Sequence, residues 1–101
     1  MSENIEIREI DGIDVVRFAP SGVCSKLMNL KIKDNLVLEM ETVGGCSGNL
    51  GGIGNLIQGM NINDVIKRLK GIPCGSRPTS CPDQLAQCLQ LYIEEKSKIT
   101  A

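Results

Sequence analysis

The hydrophobic residues of this chain change their spacing near its middle, from the alternation of β-strands to the three- and four-residue steps of α-helices. In the first half, the β-branched runs Ile5–Ile10 and Ile13–Phe18 flank Asp11-Gly12. That dipeptide favours the positive φ angles of a tight hairpin turn. The chain therefore begins, by prediction, with a β-hairpin.

A second alternating stretch surrounds Asp34-Asn35. Before this dipeptide, Leu30 and Ile32 alternate with lysines; after it, the alternating apolar residues are Leu36, Leu38 and Met40. Alternation of this kind is typical of a strand with one buried and one solvated face. The pattern predicts a second hairpin, with these five apolar residues on its buried face.

The second half has the periodicity of helices. Two short amphipathic helices are predicted, separated near Gly59 and ended by Gly71, and a third is predicted over residues 82–96, with Ser80 and Asp83 as its capping box. The apolar positions that define the three helices are Leu50, Ile53, Ile57 and Met60, then Ile62, Val65, Ile66 and Leu69, and finally Leu85, Cys88, Leu89, Tyr92 and Ile93. Because strands precede helices, we expect an α+β fold in which a small antiparallel sheet is followed by three helices packed on one face. The 101 residues are expected to form a single domain, with an N-terminal hairpin at 4–19, a core at 20–96 and a tail at 97–101.

Composition excludes several classes of function. The chain has no histidine, which removes His general bases and imidazole metal ligands, and its formal net charge of −1 gives no electrostatic reason to expect nucleic acid or a membrane as partner. No run of eighteen apolar residues occurs, and the first ten residues lack the apolar core of a signal peptide. We therefore expect a cytoplasmic protein. The sequence does not indicate its oligomeric state.

Five cysteines remain as the candidate chemical groups: Cys24, Cys46, Cys74, Cys81 and Cys88. An odd number of cysteines in a reducing compartment favours metal ligation or thiol chemistry over a disulfide framework. Cys88 falls on the apolar stripe of the third helix and is interpreted as a core residue. The other four lie in predicted turns and loops. Their spacing alone is compatible with two hypotheses. The cysteines are either inert thiols, which is the more common case for single cysteines, or ligands of one shared metal ion.

Two of these cysteines precede predicted helices. Cys46 lies at the entrance of the first helix and Cys81 at that of the third, where unpaired amides and the helix dipole favour a thiolate. Four thiolates suit a tetrahedral zinc site or an iron-sulfur centre. The chain has no C-x-x-C pair, so zinc-ribbon and thioredoxin-like motifs find no support.

Six of the eleven glycines surround Cys46, between residues 44 and 54. The run lacks both a Walker lysine and a complete G-x-G-x-x-G, so a nucleotide loop is disfavoured. Gly45, Gly48, Gly51 and Gly54 recur every three residues, which on a helix gives a bare stripe that another backbone can approach closely. Gly45 and Gly48, with Gly75 in the later loop, are the expected backbone supports of the cysteine site.

A basic cluster is formed by Lys67, Arg68, Lys70 and Arg77. Such a cluster is most often a solvated helix face, and an acidic partner is the alternative.

Four short motifs carry a family resemblance. They are SGVCS, GGCSGNLGGI, KGIPCG and TSCPD, in this order, and each contains one of the four loop cysteines. Over about residues 15–95 the chain resembles the small stand-alone TSCPD-domain family, whose relatives occur at the C-terminal end of cobalamin-dependent ribonucleotide reductases. The resemblance implies an accessory or binding module associated with ribonucleoside-diphosphate reductase, with no catalysis required of the chain alone.

A more distant similarity is to the U-type iron-sulfur scaffold proteins, which combine a small antiparallel sheet with helices. Cys24, Cys46 and Cys81 resemble their three ligand cysteines in order. Lys26 stands where that family has an acidic residue, and Cys74 adds a thiolate. Four thiolates favour a retained metal over an exchangeable cluster.

We therefore expect Cys24, Cys46, Cys74 and Cys81 to bind one metal ion, zinc first. Iron-sulfur cluster assembly or carriage, with an assembly protein as partner, is the first alternative. A thiol redox module that uses Cys74 and Cys81 is the second.

Overall fold

A computed structural model describes residues 5–20, 25–44, 47–72 and 79–100 of the chain. Its elements in chain order are β1 (Ile5–Ile10), β2 (Ile13–Phe18), β3 (Ser25–Lys33), β4 (Leu36–Gly44), α1 (Ser47–Ile57), α2 (Ile62–Leu69) and α3 (Cys81–Thr100). The four strands form one sheet in the order β1-β2-β3-β4, and each neighbouring pair is antiparallel. The predicted α+β fold, with a small antiparallel sheet and three helices, is confirmed.

The first hairpin has the predicted bounds and turn. Ile5 pairs with Phe18 at one end of the hairpin and Ile10 with Ile13 at the other. The turn residues Asp11 and Gly12 have φ angles of 53° and 78°. These left-handed angles match the twist of the strands that they join, as expected for a two-residue turn.

The second hairpin contains a register shift that the alternation did not predict. Lys31 pairs with Glu39 and Ile32 with Val37, so Leu38 is an extra residue on β4. The bulge moves the inward-facing phase of β4 by one residue. Val37 is consequently buried and Leu36 is 38% exposed, so the prediction that Leu36 lies on the buried face is wrong.

Gly59, near which the first two helices were expected to separate, and Gly71, the expected C-cap of the second, both adopt left-handed φ angles. Gly59 follows α1 with a φ of 84°, and Gly71 follows α2 with a φ of 83°. Between them, the side chain of Asn61 caps α2 by accepting a hydrogen bond from the amide of Asn63 at 2.9 Å. α2 extends from the first to the last residue of its predicted apolar stripe.

The third helix is longer than predicted. It begins at Cys81 and continues to Thr100, beyond the expected end at residue 96. The expected tail at 97–101 is therefore helical through Thr100. The stretch contains neither glycine nor proline after Pro82, so no residue interrupts the backbone hydrogen bonds of the helix.

The core lies between one face of the sheet and the three helices, and it is mainly aliphatic. Phe18 and Tyr92 are its two aromatic members, and Cys88 is completely buried. The remaining core residues include Ile5, Val16, Met28, Leu30, Ile32, Val37, Ile57, Ile62, Val65, Leu85 and Leu89. Within the described segments, no helix combines the length and the apolar character needed to cross a bilayer.

Candidate functional site

The start of α3 carries a capping arrangement built from Ser80. The Ser80 hydroxyl oxygen accepts a hydrogen bond from the Asp83 amide at 3.2 Å, which confirms the first half of the predicted capping box. The same hydroxyl donates to the carbonyl oxygen of Ile72 at 2.6 Å. Ser80 therefore starts α3 and also holds that start against the chain that leaves α2.

The Asp83 carboxylate completes this junction, although it does not turn back to the Ser80 amide as a capping box would require. One of its oxygens accepts a hydrogen bond from the backbone amide of Gly71 at 2.6 Å. The other accepts from the Thr79 hydroxyl at 2.5 Å and from the Gln87 side-chain amide at 2.9 Å. The carboxylate thereby ties the end of α2 to the first turns of α3.

These contacts determine the charge state of Asp83. Burial alone would raise the pKa of its carboxyl group. The hydrogen bonds from Thr79, Gly71 and Gln87 favour the ionised form and outweigh burial, with a smaller contribution from the charge of Lys70. The pKa of Asp83 is therefore lower than its ordinary value, and the junction contains a carboxylate at neutral pH.

The two described cysteines of α3 differ in their environment. Cys81 lies at the N-terminus of the helix, as predicted, and is only partly buried against the core. Cys88 is completely buried, and burial raises the pKa of its thiol to about 12. The interpretation of Cys88 as a core residue is confirmed.

Cys24, Cys46 and Cys74 lie outside the described residues, as do Gly45, Gly75 and Arg77. In the segments that are described, no three cysteine, aspartate or glutamate side chains come together as a metal site would require. The predicted four-cysteine ligand set accordingly stays a prediction. What the structure does give is the position of described residues near Cys24, Cys46 and Cys81.

Strands β3 and β4 position the residues that flank Cys24 and Cys46. Ser25, which follows Cys24, pairs with Gly44, which lies two positions before Cys46. Paired residues on neighbouring antiparallel strands have Cα atoms about 4.5–5.5 Å apart. These two flanking residues are thus adjacent, at the end of the sheet opposite the β3–β4 turn.

Helices α2 and α3 meet at a junction beside Cys81. The amide of Ile62 donates to the carbonyl of Asn35 in the β3–β4 turn, so α2 begins there and runs away from it. Later in α3, Tyr92 and Lys96 contact Asp14, which lies towards the same end of the sheet as that turn. The junction of α2 with α3, which carries Cys81, lies at the other end of both helices from these contacts.

The predicted glycine stripe is only partly realised as a close-packing surface. A methyl group added at Gly54 would meet the side chain and carbonyl of Met40 at 3.6 Å, which is ordinary contact with β4. A methyl group at Gly51 would meet nothing within 4 Å. The expectation of close approach is thus wrong at Gly51, because that position of α1 faces away from the sheet. Gly48 lies in the first turn of α1.

The basic cluster is exposed where it is described. Lys67 and Arg68 in α2 and Lys70 at its C-cap are exposed, which is compatible with both a solvated face and contact with an acidic partner.

A buried polar cluster was not predicted. The Tyr92 hydroxyl donates to the Asp14 carboxylate at 2.5 Å, and the Lys96 ammonium lies 3.3 Å from the same oxygen. Burial raises the pKa of Tyr92, and its hydrogen bond to Asp14 and the charge of Asp14 raise it further. The neutral tyrosine is thus retained as the hydrogen-bond donor. The residues are 78 positions apart, so no local signal could have paired them.

Comparison of the sequence with known families identifies one family. The family model of the TSCPD domain matches residues 7–93, which is most of the chain. The chain belongs to the TSCPD-domain family. In this TSCPD domain, the motif at residues 79–83 supplies the N-cap, the first residue of α3 and the carboxylate that holds α2 to α3. Neither the curated proteins nor the solved structures contain a significant match.

Proposed function

We propose that this TSCPD domain is a cysteine-ligated metal-binding module that uses Cys24, Cys46, Cys74 and Cys81, with zinc as the favoured ion. The observation that supports it has two parts. Ser25 and Gly44, which lie beside Cys24 and Cys46, pair at the end of the sheet opposite the β3–β4 turn. The α2–α3 junction at Cys81 lies at the end of both helices away from their contacts with the turn end of the sheet. Cysteines distant in sequence can share one ion only if the fold brings their chain segments to one side of the molecule.

The donor set fits zinc in its chemistry. Four thiolates and no imidazole correspond to a closed structural site, which takes no further ligand and retains its ion. Such an ion contributes its binding free energy to folding. That contribution matters here because the core contains only two aromatic residues.

The proposed role of the module is to bind a ribonucleoside-diphosphate reductase as an accessory domain. Membership of the TSCPD-domain family supports this, since related domains resemble the C-terminal module of cobalamin-dependent reductases. The exposed cations of α2 offer one surface for such contact.

A second candidate is a redox role for Cys74 and Cys81. It is favoured by the 2.6 Å hydrogen bond between the Ser80 hydroxyl and the Ile72 carbonyl, since Cys81 follows Ser80 and Cys74 is two positions beyond Ile72. In this case the two thiols would form one disulfide and, by exchange, reduce one disulfide of the reductase to two thiols.

A third candidate is a cluster scaffold or carrier that works with an iron-sulfur assembly protein. It would use the four proposed ligand cysteines, and family resemblance alone supports it.

Elemental analysis of protein purified without added metal separates these functions. We expect one zinc ion per chain in a colourless protein. A brown protein with iron and sulfide would instead favour the cluster function. A metal-free protein in which Cys74 and Cys81 titrate reversibly as a dithiol would favour the redox function.

Two variants test the ligand assignment. Cys81→Ser is expected to lose the zinc and stability together, whereas Cys88→Ala, the matched control in the same helix, keeps the zinc. Loss of metal from Cys88→Ala with retention by Cys81→Ser would contradict the assignment.

Association with the reductase is tested separately by light scattering of the domain mixed with a cobalamin-dependent reductase. Absence of a complex would contradict that part of the proposal.

A further inference from the structure

An apolar groove lies between α1 and α2, outside the cysteine-bearing region. Its floor is formed by the buried residues Ile57 and Val65, and its walls include the partly buried Ile53, Met60 and Leu69. Its volume is about 330 Å³. This is near the lower end of the roughly 300–1,000 Å³ typical of ligand sites, and it suits a few side chains better than a large cofactor.

Leu56 and Arg68 form the rim of this groove. The Leu56 side chain is 77% exposed, the most exposed large apolar side chain in the described part of the chain. A single exposed leucine is ordinary, but this one continues an apolar surface that descends to the core. The groove therefore offers both an apolar floor and an apolar edge.

The charged residue that lines the groove is Arg68. The segment that carries the groove, residues 47–72, has three cations, Lys67, Arg68 and Lys70, and one acid, Asp64, whereas the whole chain has a net charge of −1. No ion pair joins Arg68 to any residue that the structure describes. Its guanidinium is thus available to a carboxylate, for which its planar donors are well matched.

We propose that the α1–α2 groove binds an acidic amphipathic helix of a partner protein. Apolar side chains spaced by one helical turn would enter the groove over Ile57 and Val65, and a neighbouring carboxylate would pair with Arg68. Charge complementarity selects this occupant over a basic or neutral helix. The inference rests on the groove alone and does not depend on metal binding by the cysteines.

A designed peptide tests the proposal directly. The probe is a fluorescein-labelled, helix-forming peptide with leucines at i and i+4 and glutamates beside them; two matched peptides carry lysine for each glutamate or alanine for each leucine. Only the acidic leucine peptide is expected to raise fluorescence anisotropy. Its binding is expected to shift the NMR amide signals of Ile53, Leu56 and Leu69.

Variants at the rim make the test specific. Arg68→Glu and Leu56→Glu are each expected to weaken binding by about tenfold or more, and both positions are exposed, so the fold is retained. Arg17→Glu is the control, because it makes the same charge change on an exposed residue of β2. NMR spectra of each variant establish that it is folded.

Several results would overturn the proposal. They are no binding at peptide concentrations up to about 1 mM, equal binding of the lysine peptide, and amide shifts confined to the sheet. Concentration-dependent shifts at the groove without peptide would identify a second copy of the chain as the occupant. Saturation by dodecanoate, with no peptide binding, would identify a small apolar acid.

Discussion

The carboxylate of Asp83 accepts a hydrogen bond from the backbone amide of Gly71 at 2.6 Å, and this contact joins the end of α2 to the start of α3. The amide of a residue just past a helix end is a donor that tertiary structure must satisfy. Asp83 satisfies it with a carboxylate that two side chains also hold in place.

Removal of this carboxylate should therefore destabilise the fold. Asp83→Ala leaves the donors of Gly71, Thr79 and Gln87 without their acceptor, and we expect a loss of about 2–4 kcal/mol in the free energy of unfolding, measured by urea denaturation. Glu94→Ala, an exposed change in the same helix, should remain within about 0.5 kcal/mol of the original protein. Similar losses for the two variants would contradict the assigned role.

The lowered pKa of Asp83 predicts a loss of stability in acid. Because the folded state holds the pKa of this carboxyl below its ordinary 3.8, the unfolded chain binds the proton more readily. Its stabilising contribution is complete above that value and is lost as the pH falls through it to the folded pKa. Urea unfolding of the original protein and of Asp83→Asn across this range should show a weaker pH dependence in the variant. Parallel curves would show that other groups control acid stability.

The Tyr92–Asp14 contact predicts the opposite behaviour in alkali. The folded state raises the pKa of Tyr92 above its ordinary 10.0, so its contribution is complete below that pH and is lost as the pH rises towards the folded pKa. Tyr92 is the only tyrosine, so the ultraviolet absorbance of tyrosinate reports this group directly. We expect ionisation of Tyr92 to be delayed in the folded protein relative to the urea-unfolded chain. Coincident titrations would contradict the contact.

Substitution of the hydroxyl tests the same contact at neutral pH. Tyr92→Phe keeps the ring but removes a hydrogen bond to a charged acceptor, and we expect a loss of about 1–3 kcal/mol in thermal or urea unfolding. Lys96 still lies beside Asp14 in this variant, which limits the loss.

Thiol labelling tests the burial of Cys88 in α3. Cys88 is completely buried with a pKa of about 12, so iodoacetamide should modify it only after unfolding. Peptide mass spectrometry of protein labelled with and without urea provides the measurement. Rapid modification of Cys88 in the folded protein would show that the helix opens locally.

Two glycines, one in α1 and one just after it, provide a final test of packing. Gly51→Ala adds a methyl group where nothing lies within 4 Å and improves helix propensity, so we expect a gain of about 0.5–1 kcal/mol. Gly59→Ala is the contrasting change, since its φ of 84° strains an alanine by about 1–2 kcal/mol. Destabilisation by Gly51→Ala would indicate that another part of the chain packs closely against this glycine.

Local rules accounted for much of the fold. The strand bounds of β1 and β2, the turn at Asp11-Gly12, the extent of α2 and the Ser80 cap all depend on residues that are neighbours in the chain. The local signal failed at Leu36, where a bulge changed the inward-facing phase, and at the end of α3, where no breaker marks a stop.

The order and type of the elements follow from local signals in the chain, because backbone periodicity, turn glycines and helix caps act over a few residues. The partners of the buried polar groups depend on packing between distant segments. Asp83 binds the Gly71 amide rather than turning back to its own cap, and Asp14 contacts Tyr92 across 78 positions. The α1–α2 groove likewise depends on tertiary packing, which determines which apolar side chains are buried and which remain exposed.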